Sequence, residues 1–550
     1  MYHNRLDTCF YGDYNCASSY LVRETALASD FDGIASPCLP ELESNRRDCC
    51  EATVRMSGYK GGFVMSASAF DKSTARKPLP VRNPRTGEID MYITPPSSEE
   101  IAAACARLRK AQETWGRAPL EHRIGVMKKW ADRLQAHRAR LIEADSMDTG
   151  YGQISKVAPD MVIGSVLRMC AIAPAIFERS HRAGRSPGAP NVAYRTNLRP
   201  YPVAGIIGPW NAPLMLSTLH AVPALFAGCA VIVKPSEVTP RFVKPMMETI
   251  RETPELAEVF TFVVGDGDTG QEIVENVDII NFTGSVPNGR KVAEACAKRF
   301  IPSILELGGK DPAIVTETAD LQKAATAVLR GAVTSTGQVC FSIERIYVQE
   351  KVHDAFIELL VKEAERVELN YPDAHHGQIG PFIAERQAAI VDDHLDDAVR
   401  KGAKIRTGGK SENLGGGLYM RPTVLTDVTH DMKIMRDETF GPVMPVMKYA
   451  TEADAVRLAN DTYFGLSAAV IAGSEDEARR LADQLDAGTV SVQDTFLTFA
   501  GFGAGLQPDA FKFSGMGSRS GILAFLRSQA VLTNTAEPAS IIEEELKAVR

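Results

Sequence analysis

The feature that most constrains the fold of this chain is a regular alternation of short apolar runs and amphipathic stretches. The apolar runs are Val203–Gly208, Ala230–Val233, Phe260–Val264 and Ile279–Phe282. Runs of this length are typical of strands buried on both faces, and the longer stretches between them are typical of crossover helices. The alternation predicts βαβ units and a doubly wound parallel sheet of the α/β class, which favours a nucleotide-binding domain.

A second α/β unit follows near Gly308. Its predicted strands are Asp311–Val315 and Arg345–Val348, and a predicted helix spans Lys351–Val367. Since single cores stop growing at about 250–300 residues, a chain of 550 residues is expected to form two large domains. We assign residues 76–307 to a cofactor domain and 308–510 to a catalytic domain.

Two further segments stand outside these domains. Residues 182–202 are rich in Gly, Pro and Ser and then polar and extended, a pattern that predicts a protruding hairpin interrupting the first domain. Residues 511–550 are predicted to return to this small β element and end in an acidic tail. Residues 1–75 hold five of the ten cysteines without a hydrophobic period, so we expect a disordered leader or an over-extended translation start rather than a functional extension.

Composition narrows the classes of function. A formal net charge of -8 gives no basic surface for nucleic acid, and 45% hydrophobic with 24% charged residues is ordinary for a soluble protein. We find no apolar run of about 18 residues and no secretory signal, so we expect no membrane association and a cytoplasmic location. Ten scattered cysteines predict reduced thiols, with neither a disulfide framework nor a metal site.

Three short motifs bring chemically useful groups into one region of the sequence. Cys340 lies in Ser-Thr-Gly-Gln-Val-Cys-Phe-Ser, Glu306 lies in Leu-Glu-Leu-Gly-Gly-Lys, and Asn211 follows Pro-Trp. They supply a nucleophile, a base and an amide donor. Each alone has a plain structural interpretation: an inert buried thiol, a glutamate held by a cation, and a turn residue that caps the next helix.

With three more motifs, these residues resemble the aldehyde dehydrogenase superfamily in order and spacing, over residues 76–535. The additional motifs are Lys234–Glu237, Phe282–Ser285 and Glu438–Pro442. The resemblance implies a small aldehyde as substrate, a nicotinamide cofactor, and a homodimer or homotetramer built through the hairpin.

The resemblance also implies catalytic roles. A thiolate must add to the aldehyde before hydride can leave, so Cys340 is the expected nucleophile. Asn211 and the backbone N–H of Cys340 are the expected donors to the oxyanion. Glu306 is the expected base for hydrolysis of the thioester; relatives that pass the acyl group to coenzyme A generally lack this glutamate, so its presence favours a carboxylic acid product.

For the cofactor, the Gly-rich segment 265–270 matches a dinucleotide fingerprint, but a lone match is weak. We assign the pyrophosphate to Gly284 and Ser285 at a helix start. Lys234 and Glu237 match positions that contact the adenine ribose, where a carboxylate would repel a 2′-phosphate, so NAD is expected over NADP. Their plain interpretation is a solvated ion pair.

Three aromatic or acidic residues complete the expected cofactor site. Trp210, Glu438 and Phe440 are assigned to cofactor binding, with Glu438 and Phe440 at the nicotinamide ribose and ring. Without the resemblance Phe440 would be read as a core residue.

The substrate is read from the segment 494–512, which lines the aldehyde entrance in relatives. It holds Phe496, Phe499, Phe502 and Phe511, has no Arg or His, and its only lysine is Lys512. Phe341 would add an apolar wall and Ala212 would widen the tunnel, so medium-sized apolar or aromatic aldehydes are expected. A preference for succinic semialdehyde would require Arg345 or Arg519 to reach the pocket.

Three alternatives stay open. The chain could instead be a coenzyme A-acylating relative, an NADP-preferring semialdehyde dehydrogenase, or a structural protein that kept the fold and lost turnover. In Ser518–Gly521 the sequence departs from the Arg-Glu-Leu-Gly that is common in the family. The shape of the substrate and the presence of a second catalytic base therefore stay open.

Overall fold

The computed structural model describes residues 76–503 and 521–538. Our expectations for residues 1–75, for the acidic tail, and for Phe511, Lys512 and residues 518–520 lie outside the described residues, as does the side chain of Phe502. The described residues belong to one compact unit.

The described residues form strands at each of the six predicted apolar runs and at further positions. They are β1 (Leu79–Arg82), β2 (Ile89–Ile93), β3 (Ala183–Ser186), β4 (Ala189–Pro200), β5 (Val203–Ile207), β6 (Ala230–Lys234), β7 (Phe260–Phe262), β8 (Ile279–Thr283), β9 (Ser303–Glu306), β10 (Asp311–Val315), β11 (Ile343–Gln349), β12 (Lys404–Thr407), β13 (Ser411–Leu414), β14 (Gly417–Met420), β15 (Thr423–Thr426), β16 (Val443–Tyr449), β17 (Ser467–Ile471), β18 (Thr489–Val492) and β19 (Leu526–Asn534).

Helices alternate with most of these strands. They are α1 (Ser98–Trp115), α2 (Leu120–Ala136), α3 (Arg138–Thr149), α4 (Gly152–Ser155), α5 (Ala158–Ser180), α6 (Pro213–Leu219), α7 (Ala221–Ala227), α8 (Val243–Arg251), α9 (Pro254–Ala257), α10 (Gly267–Asn276), α11 (Val286–Lys298), α12 (Leu321–Val333), α13 (His353–Glu365), α14 (Glu385–Arg400), α15 (Lys433–Arg436), α16 (Glu452–Asn460), α17 (Glu475–Ala482) and α18 (Leu497–Gly503), with 3-10 turns at Thr334–Gly337 and Gly521–Phe525.

The first sheet has the strand order β7-β6-β5-β8-β9, and all of its neighbours are parallel. Strands β5, β6 and β8 are buried along their whole length, because helices such as α1 and α10 cover them. The chain runs outward from β5 in one direction and then restarts at β8 on its other side. This reversal opens a crevice at the carboxyl ends of the strands, where open α/β sheets bind ligands.

The second sheet has the order β12-β15-β16-β11-β10-β17-β18, with only β12 antiparallel to its neighbour. Alternate residues of β10 enter two separate apolar clusters, Ala313 and Val315 in one and Ile314 in the other. This sheet is therefore also buried on both faces. One parallel and one mixed sheet confirm the predicted α/β class, while the predicted domain boundaries stay a prediction.

The third sheet joins the segment 182–202 to the end of the described chain. Strands β3 and β4 form an antiparallel hairpin, and β19 pairs with β4 over nine residues from Leu526↔Pro200 to Asn534↔Val192. Most side chains of β19 are exposed.

Helix α5 bears on the expectation that the chain has no membrane-spanning segment. By length and apolar composition alone it could cross a membrane, a test that core helices of soluble proteins also pass. One third of its apolar window is buried, and it packs against α2 and α6. Our search for apolar runs missed it because Asp160 and Arg168 interrupt the sequence. The absence of membrane association stays a prediction.

Candidate active site

A single cavity of about 1000 Å³ lies at the carboxyl ends of the first sheet and brings the predicted site residues together. Its walls include the ten residues assigned from the sequence, namely Trp210, Asn211, Lys234, Glu237, Gly284, Ser285, Glu306, Cys340, Glu438 and Phe440. These residues come from loops after β5, β6 and β8, from the end of β9, and from the segments that precede β11 and β16. The fold gathers residues that are more than 200 positions apart into one site.

Cys340 precedes β11 and is half-buried in the cavity wall. Burial, together with the nearby carboxyl groups of Glu306, Asp311 and Glu438, raises the pKa of this thiol well above its ordinary value. This thiol is therefore harder to ionise than an ordinary cysteine, and forming a thiolate requires an added positive charge or a proton acceptor.

Glu306 ends β9 and is 5% exposed. Burial raises the pKa of its carboxyl group to about 7, while hydrogen bonding with the Cys340 thiol acts in the opposite direction. Its Oε2 atom has no hydrogen-bond partner among the described residues. Glu306 is thus not held by a cation, and it carries an open acceptor into the cavity at a pKa suited to a general base.

Two glycines after Glu306 permit its approach to the thiol. A Cβ atom on Gly308 would lie 2.3 Å from the Glu438 carboxylate, and one on Gly309 would lie 2.2 Å from the Cys340 carbonyl oxygen. A side chain at Gly309 would push this backbone away from the nucleophile segment, whereas one at Gly308 would displace the Glu438 carboxylate. The Leu-Glu-Leu-Gly-Gly motif therefore serves close packing of backbone against the nucleophile segment.

Asn211 does not cap the following helix. Helix α6 has Ala212 at its N-cap, and the amide Nδ2 of Asn211 instead donates to the Gln338 carbonyl oxygen at 2.9 Å. One N–H of the amide is fixed by this bond and the second remains to serve a ligand in the cavity. The orientation suits a donor placed beside Cys340.

Lys234 and Glu237 form a pair, but not a solvated one. Lys234 is 4% exposed, and its Nζ lies 3.5 Å from Glu237 Oε2 and 3.1 Å from the Pro235 carbonyl oxygen. Burial lowers the pKa of the lysine, and Glu237 opposes that effect. The pair presents a partly exposed carboxylate to the cavity.

The N-terminus of α11 also faces the cavity. Its N-cap, Ser285, makes no side-chain cap, so the first N–H groups of the helix are open to an anion. Residues Gly267, Asp268 and Gly270 of α10 line the same cavity. We did not assign them from the sequence, although the fingerprint-like segment 265–270 was the signal that pointed to them.

Glu438 and Phe440 lie on the loop before β16, which is fixed by the buried ion pair between Lys310 and Glu344. Glu344 accepts N–H bonds from Thr439 and Phe440, both at 2.7 Å, and a salt bridge from Lys310 at 2.7 Å. Phe440 has a left-handed backbone with φ of 52°, which is unusual for a bulky residue.

The same loop also positions the side chains of Glu438 and Phe440. The ring of Phe440 meets Trp210 edge to face at 5.4 Å, so it lines the cavity rather than the core. The Glu438 carboxylate accepts from Gly309 N–H at 3.1 Å.

The aromatic residues expected at the aldehyde entrance form a cluster. Phe341 is buried with ring centroids 5.2 Å from Phe496 and 6.4 Å from Phe499. None of the three lines the described cavity, so their contact with substrate stays a prediction. A cation that the sequence did not reveal, Arg330, lies over the Phe496 ring at 5.6 Å, but it is paired with Asp494 at 2.6 Å.

Arg345 does not reach the cavity. It is fully buried and donates to the carbonyl oxygens of Lys310, Leu458 and Ala459. The sequence suggested it as a substitute anchor for a second carboxylate; the structure uses it to tie backbone segments together, and Arg519 lies outside the described residues.

The match to known proteins agrees with this geometry. The family model described as "Aldehyde dehydrogenase family" matches residues 70–530. This chain belongs to the aldehyde dehydrogenase family. The resemblance inferred from the motifs is thereby confirmed.

Individual relatives of this aldehyde dehydrogenase carry different names. A protein of Mycolicibacterium smegmatis named "Putative succinate-semialdehyde dehydrogenase (NADP+)" is 36% identical over 86% of this chain and 92% of its own length. A 4,4'-diapolycopene aldehyde oxidase of Methylomonas is 36% identical over 79% of this chain and 82% of its own length.

Solved structures give the same fold. An aldehyde dehydrogenase of Anabaena variabilis, described as putative and called PutA, aligns with a TM-score of 0.80 at 48% identity, covering 84% of this chain and 99% of its own. A betaine aldehyde dehydrogenase of Staphylococcus aureus in complex with NAD+ aligns at 0.79 and 29% identity, covering 84% of this chain and 95% of its own.

The site of this aldehyde dehydrogenase fits a nicotinamide dinucleotide. The cavity volume is at the upper end for small-molecule sites. The uncapped start of α11 offers N–H groups for a pyrophosphate, Glu237 offers a carboxylate for ribose hydroxyls, and the Trp210–Phe440 pair offers an aromatic wall. When bound, the cofactor supplies the hydride acceptor.

Proposed function

We propose that this protein oxidises an aldehyde to a carboxylic acid with NAD, by way of a covalent adduct on Cys340. The observation that carries the proposal is the shared cavity in which the Cys340 thiol meets the carboxyl of Glu306, whose Oε2 has no partner among the described residues, and whose wall also holds the oriented amide of Asn211. A nucleophile, a proton acceptor and an oxyanion donor within one site are the groups that this chemistry needs.

Three residues of the chain have separate roles in the proposed reaction. Cys340 adds to the carbonyl carbon as a thiolate after its proton leaves to solvent, an ionisation that the positive charge of a bound oxidised cofactor would favour. Asn211 Nδ2 and the Cys340 backbone N–H stabilise the oxyanion. After oxidation to the thioester, Glu306 deprotonates a water molecule that releases the acid and restores the thiol.

Hydrolysis is proposed rather than transfer to coenzyme A. The buried, unpaired Oε2 of Glu306 is placed to activate water. Coenzyme A transfer needs no such base, because a thiol nucleophile ionises far more readily than water.

NAD is proposed over NADP because the Glu237 carboxylate faces the cavity beside the buried Lys234. A 2′-phosphate placed there would meet like charge. The name of the Mycolicibacterium smegmatis relative, which carries NADP+, makes the opposite choice a specific rival, and a direct comparison of the two cofactors tests it.

An apolar or aromatic aldehyde of medium size is proposed as substrate. Phe341, which follows the nucleophile in sequence, forms an apolar cluster with Phe496 and Phe499. The Arg330 charge beside this cluster is paired with Asp494. The Methylomonas relative is named for 4,4'-diapolycopene aldehyde rather than for a semialdehyde. Succinic semialdehyde is the second candidate, favoured by the name of the Mycolicibacterium smegmatis relative.

The test is the formation of reduced cofactor by the full chain with benzaldehyde, hexanal and succinic semialdehyde, each with NAD and NADP. We expect turnover with NAD, and a higher kcat/KM for the first two aldehydes. Cys340→Ala should abolish turnover, and Glu306→Gln should accumulate thioester on Cys340, which mass spectrometry detects. Full turnover by Glu306→Gln would contradict the assigned base, and a clear lead for succinic semialdehyde would contradict the substrate.

A further inference from the structure

The segment just before Cys340 has an unusual backbone. Ser335, Thr336 and Gly337 are three consecutive residues in the left-handed region, with φ of 53°, 59° and 69°. Only glycine adopts this conformation without strain, so two of the three positions store energy that their surroundings must offset. We call residues 335–340 the nucleophile loop.

The contacts that offset this strain come from a distant part of the chain. The Tyr151 hydroxyl, which lies between α3 and α4, donates to the Ser335 carbonyl oxygen at 2.6 Å and accepts from the Gln338 side-chain amide. Thr336 Oγ1 donates to the Gly380 carbonyl oxygen at 2.8 Å and accepts from Gly380 N–H at 3.1 Å. Tyr151 is 4% exposed, and Thr336 and Gln338 are fully buried.

Gln338 connects this network to the catalytic amide. Its side-chain Oε1 accepts from Ile383 N–H at 3.1 Å, so both ends of the side chain are fixed. Its backbone carbonyl oxygen accepts from Asn211 Nδ2 at 2.9 Å. The same residue is thus held by Tyr151 and in turn orients Asn211, while Cys340 follows two positions later.

We propose that Tyr151 is a positioning residue for the reaction. Its hydroxyl fixes the left-handed nucleophile loop and, through Gln338, sets Cys340 and Asn211 relative to each other. Tyr151 does not line the cavity and so acts only through these residues. The inference rests on the proposed function, because it assigns the geometry of the same nucleophile and oxyanion donor.

Loss of the hydroxyl has a defined consequence. Without it the Ser335 carbonyl oxygen loses its short donor and the Gln338 amide loses its best-placed acceptor, both in a buried setting. The strained loop then relaxes, and a displacement of about 1 Å at reacting atoms lowers rates by roughly 100-fold.

The test compares Tyr151→Phe with Tyr419→Phe. Tyr419 is also fully buried, but its hydroxyl has no hydrogen-bond partner among the described residues, so its removal is a matched control. For Tyr151→Phe we expect the pre-steady-state burst of NADH and kcat to fall at least tenfold while the Kd for NAD stays unchanged. Tyr419→Phe should keep the values of the unmodified enzyme.

A second readout needs no aldehyde. The rate at which iodoacetamide alkylates Cys340, followed by peptide mass spectrometry, should rise at least threefold in Tyr151→Phe. When the nucleophile loop relaxes, the thiol becomes more accessible and loses the burial and the nearby carboxyl groups that raise its pKa. If Tyr151→Phe does not accumulate as folded protein, Gln338→Met removes the same contact and is measured in its place.

The outcomes separate the two proposals. If the unmodified enzyme oxidises no aldehyde, the proposed function fails, and alkylation still decides whether Tyr151 positions Cys340. Burst and alkylation rates equal to those of the unmodified enzyme overturn the inference. A loss of kcat that only follows the loss of folded protein, with unchanged alkylation per folded molecule, overturns it as well.

Discussion

At the scale of single residues, the carboxyl groups around Cys340 set the chemistry of the resting site. Burial raises the pKa of Glu306 to about 7, and that of Asp311 and Glu438 to about 8. The thiol faces these groups and keeps its proton when the cavity holds no positive charge. Because the thiolate is the reactive form, burial and these carboxyl groups lower the reactivity of the Cys340 thiol toward oxidants and alkylating agents.

The buried Glu306 makes a prediction about stability. The pKa of Glu306 in the folded chain lies above the ordinary value of 4.5. Its ionisation therefore does not lower the free energy of unfolding below about pH 4.5, and lowers it by the full amount above about pH 7. Glu306→Gln removes this penalty and should be more stable than the unmodified protein at pH 8, by up to about 3 kcal/mol.

Denaturant unfolding at pH 8 and pH 5 measures the effect. The gain should shrink toward pH 5, because the carboxyl is then protonated in the folded chain and lies close to its ordinary pKa of 4.5 in the unfolded chain, so the difference in ionisation costs little. An equal gain at both pH values would show that something other than ionisation is responsible.

Glu237 makes a prediction about the cofactor. Glu237→Ser removes a carboxylate from the cavity wall beside Lys234 and should raise kcat/KM with NADP relative to NAD, by roughly tenfold or more. Steady-state kinetics with each cofactor measures the ratio. Glu365→Ser, at an exposed glutamate of α13 that does not line the cavity, is the control and should leave the ratio unchanged.

The sequence identified residues that carry unusual chemistry in compact motifs, and all ten line one cavity. It did not identify Tyr151 or Arg386. Arg386 lines the same cavity without belonging to a recognisable motif, and Tyr151 acts through hydrogen bonds to residues 184 and 187 positions away. Such contacts depend on the packing of distant elements, which no local pattern encodes.

At the scale of elements, apolar runs predicted strands well. The run Asp311–Val315 matches β10, and the runs 203–208 and 279–282 differ from β5 and β8 by one residue. Buried strands are predictable because one property, apolarity over four to six residues, determines them. The left-handed turn 335–337 was not predictable, because serine and threonine adopt that backbone only when tertiary contacts impose it.

Gly337 tests the importance of this turn. Its φ is 69°, and a Cβ atom there would lie 2.2 Å from the Gly441 carbonyl oxygen, which is backbone and cannot move cheaply. Gly337→Ala should lower the free energy of unfolding by more than about 2 kcal/mol and abolish turnover.

A second glycine serves as control for that substitution. Gly125 lies on the exposed face of α2 with open space around its Cα, so Gly125→Ala should raise stability by about 0.5–1 kcal/mol and leave turnover unchanged. Thermal and denaturant unfolding compare the two. A mild effect of Gly337→Ala would mean that the loop tolerates other conformations.

At the scale of the whole molecule, the end of the chain completes a sheet that begins near residue 183. Strand β19 covers one edge of β4, and β3 covers the other. Both faces of this three-stranded sheet are largely exposed, including Tyr194 and Leu532, the latter at 67%. Exposed apolar side chains on a small sheet are a feature of surfaces that subunits bury.

Removal of the last strand tests this element. A chain that ends at Phe525 lacks β19 and leaves the β4 edge unpaired. If the full chain forms the homo-oligomer that we propose, we expect the truncated chain to give a smaller particle or to aggregate, with a lower Tm. Light scattering after size exclusion measures the particle mass. A chain that ends at residue 538 keeps β19 and is the control; identical mass and Tm for all three proteins would contradict a role of β19 in assembly.

The pairing of β4 with β19 also has a consequence for the nascent chain during translation. Since Pro200 pairs with Leu526, more than 300 residues must be translated before β4 receives its partner. At about 5–20 residues per second, the nascent chain carries an open β edge for tens of seconds. Messages that stop early release a product whose edge is never closed, and such edges recruit other chains. Until β19 is made, the β4 edge of the incomplete chain is therefore open to pairing with another chain.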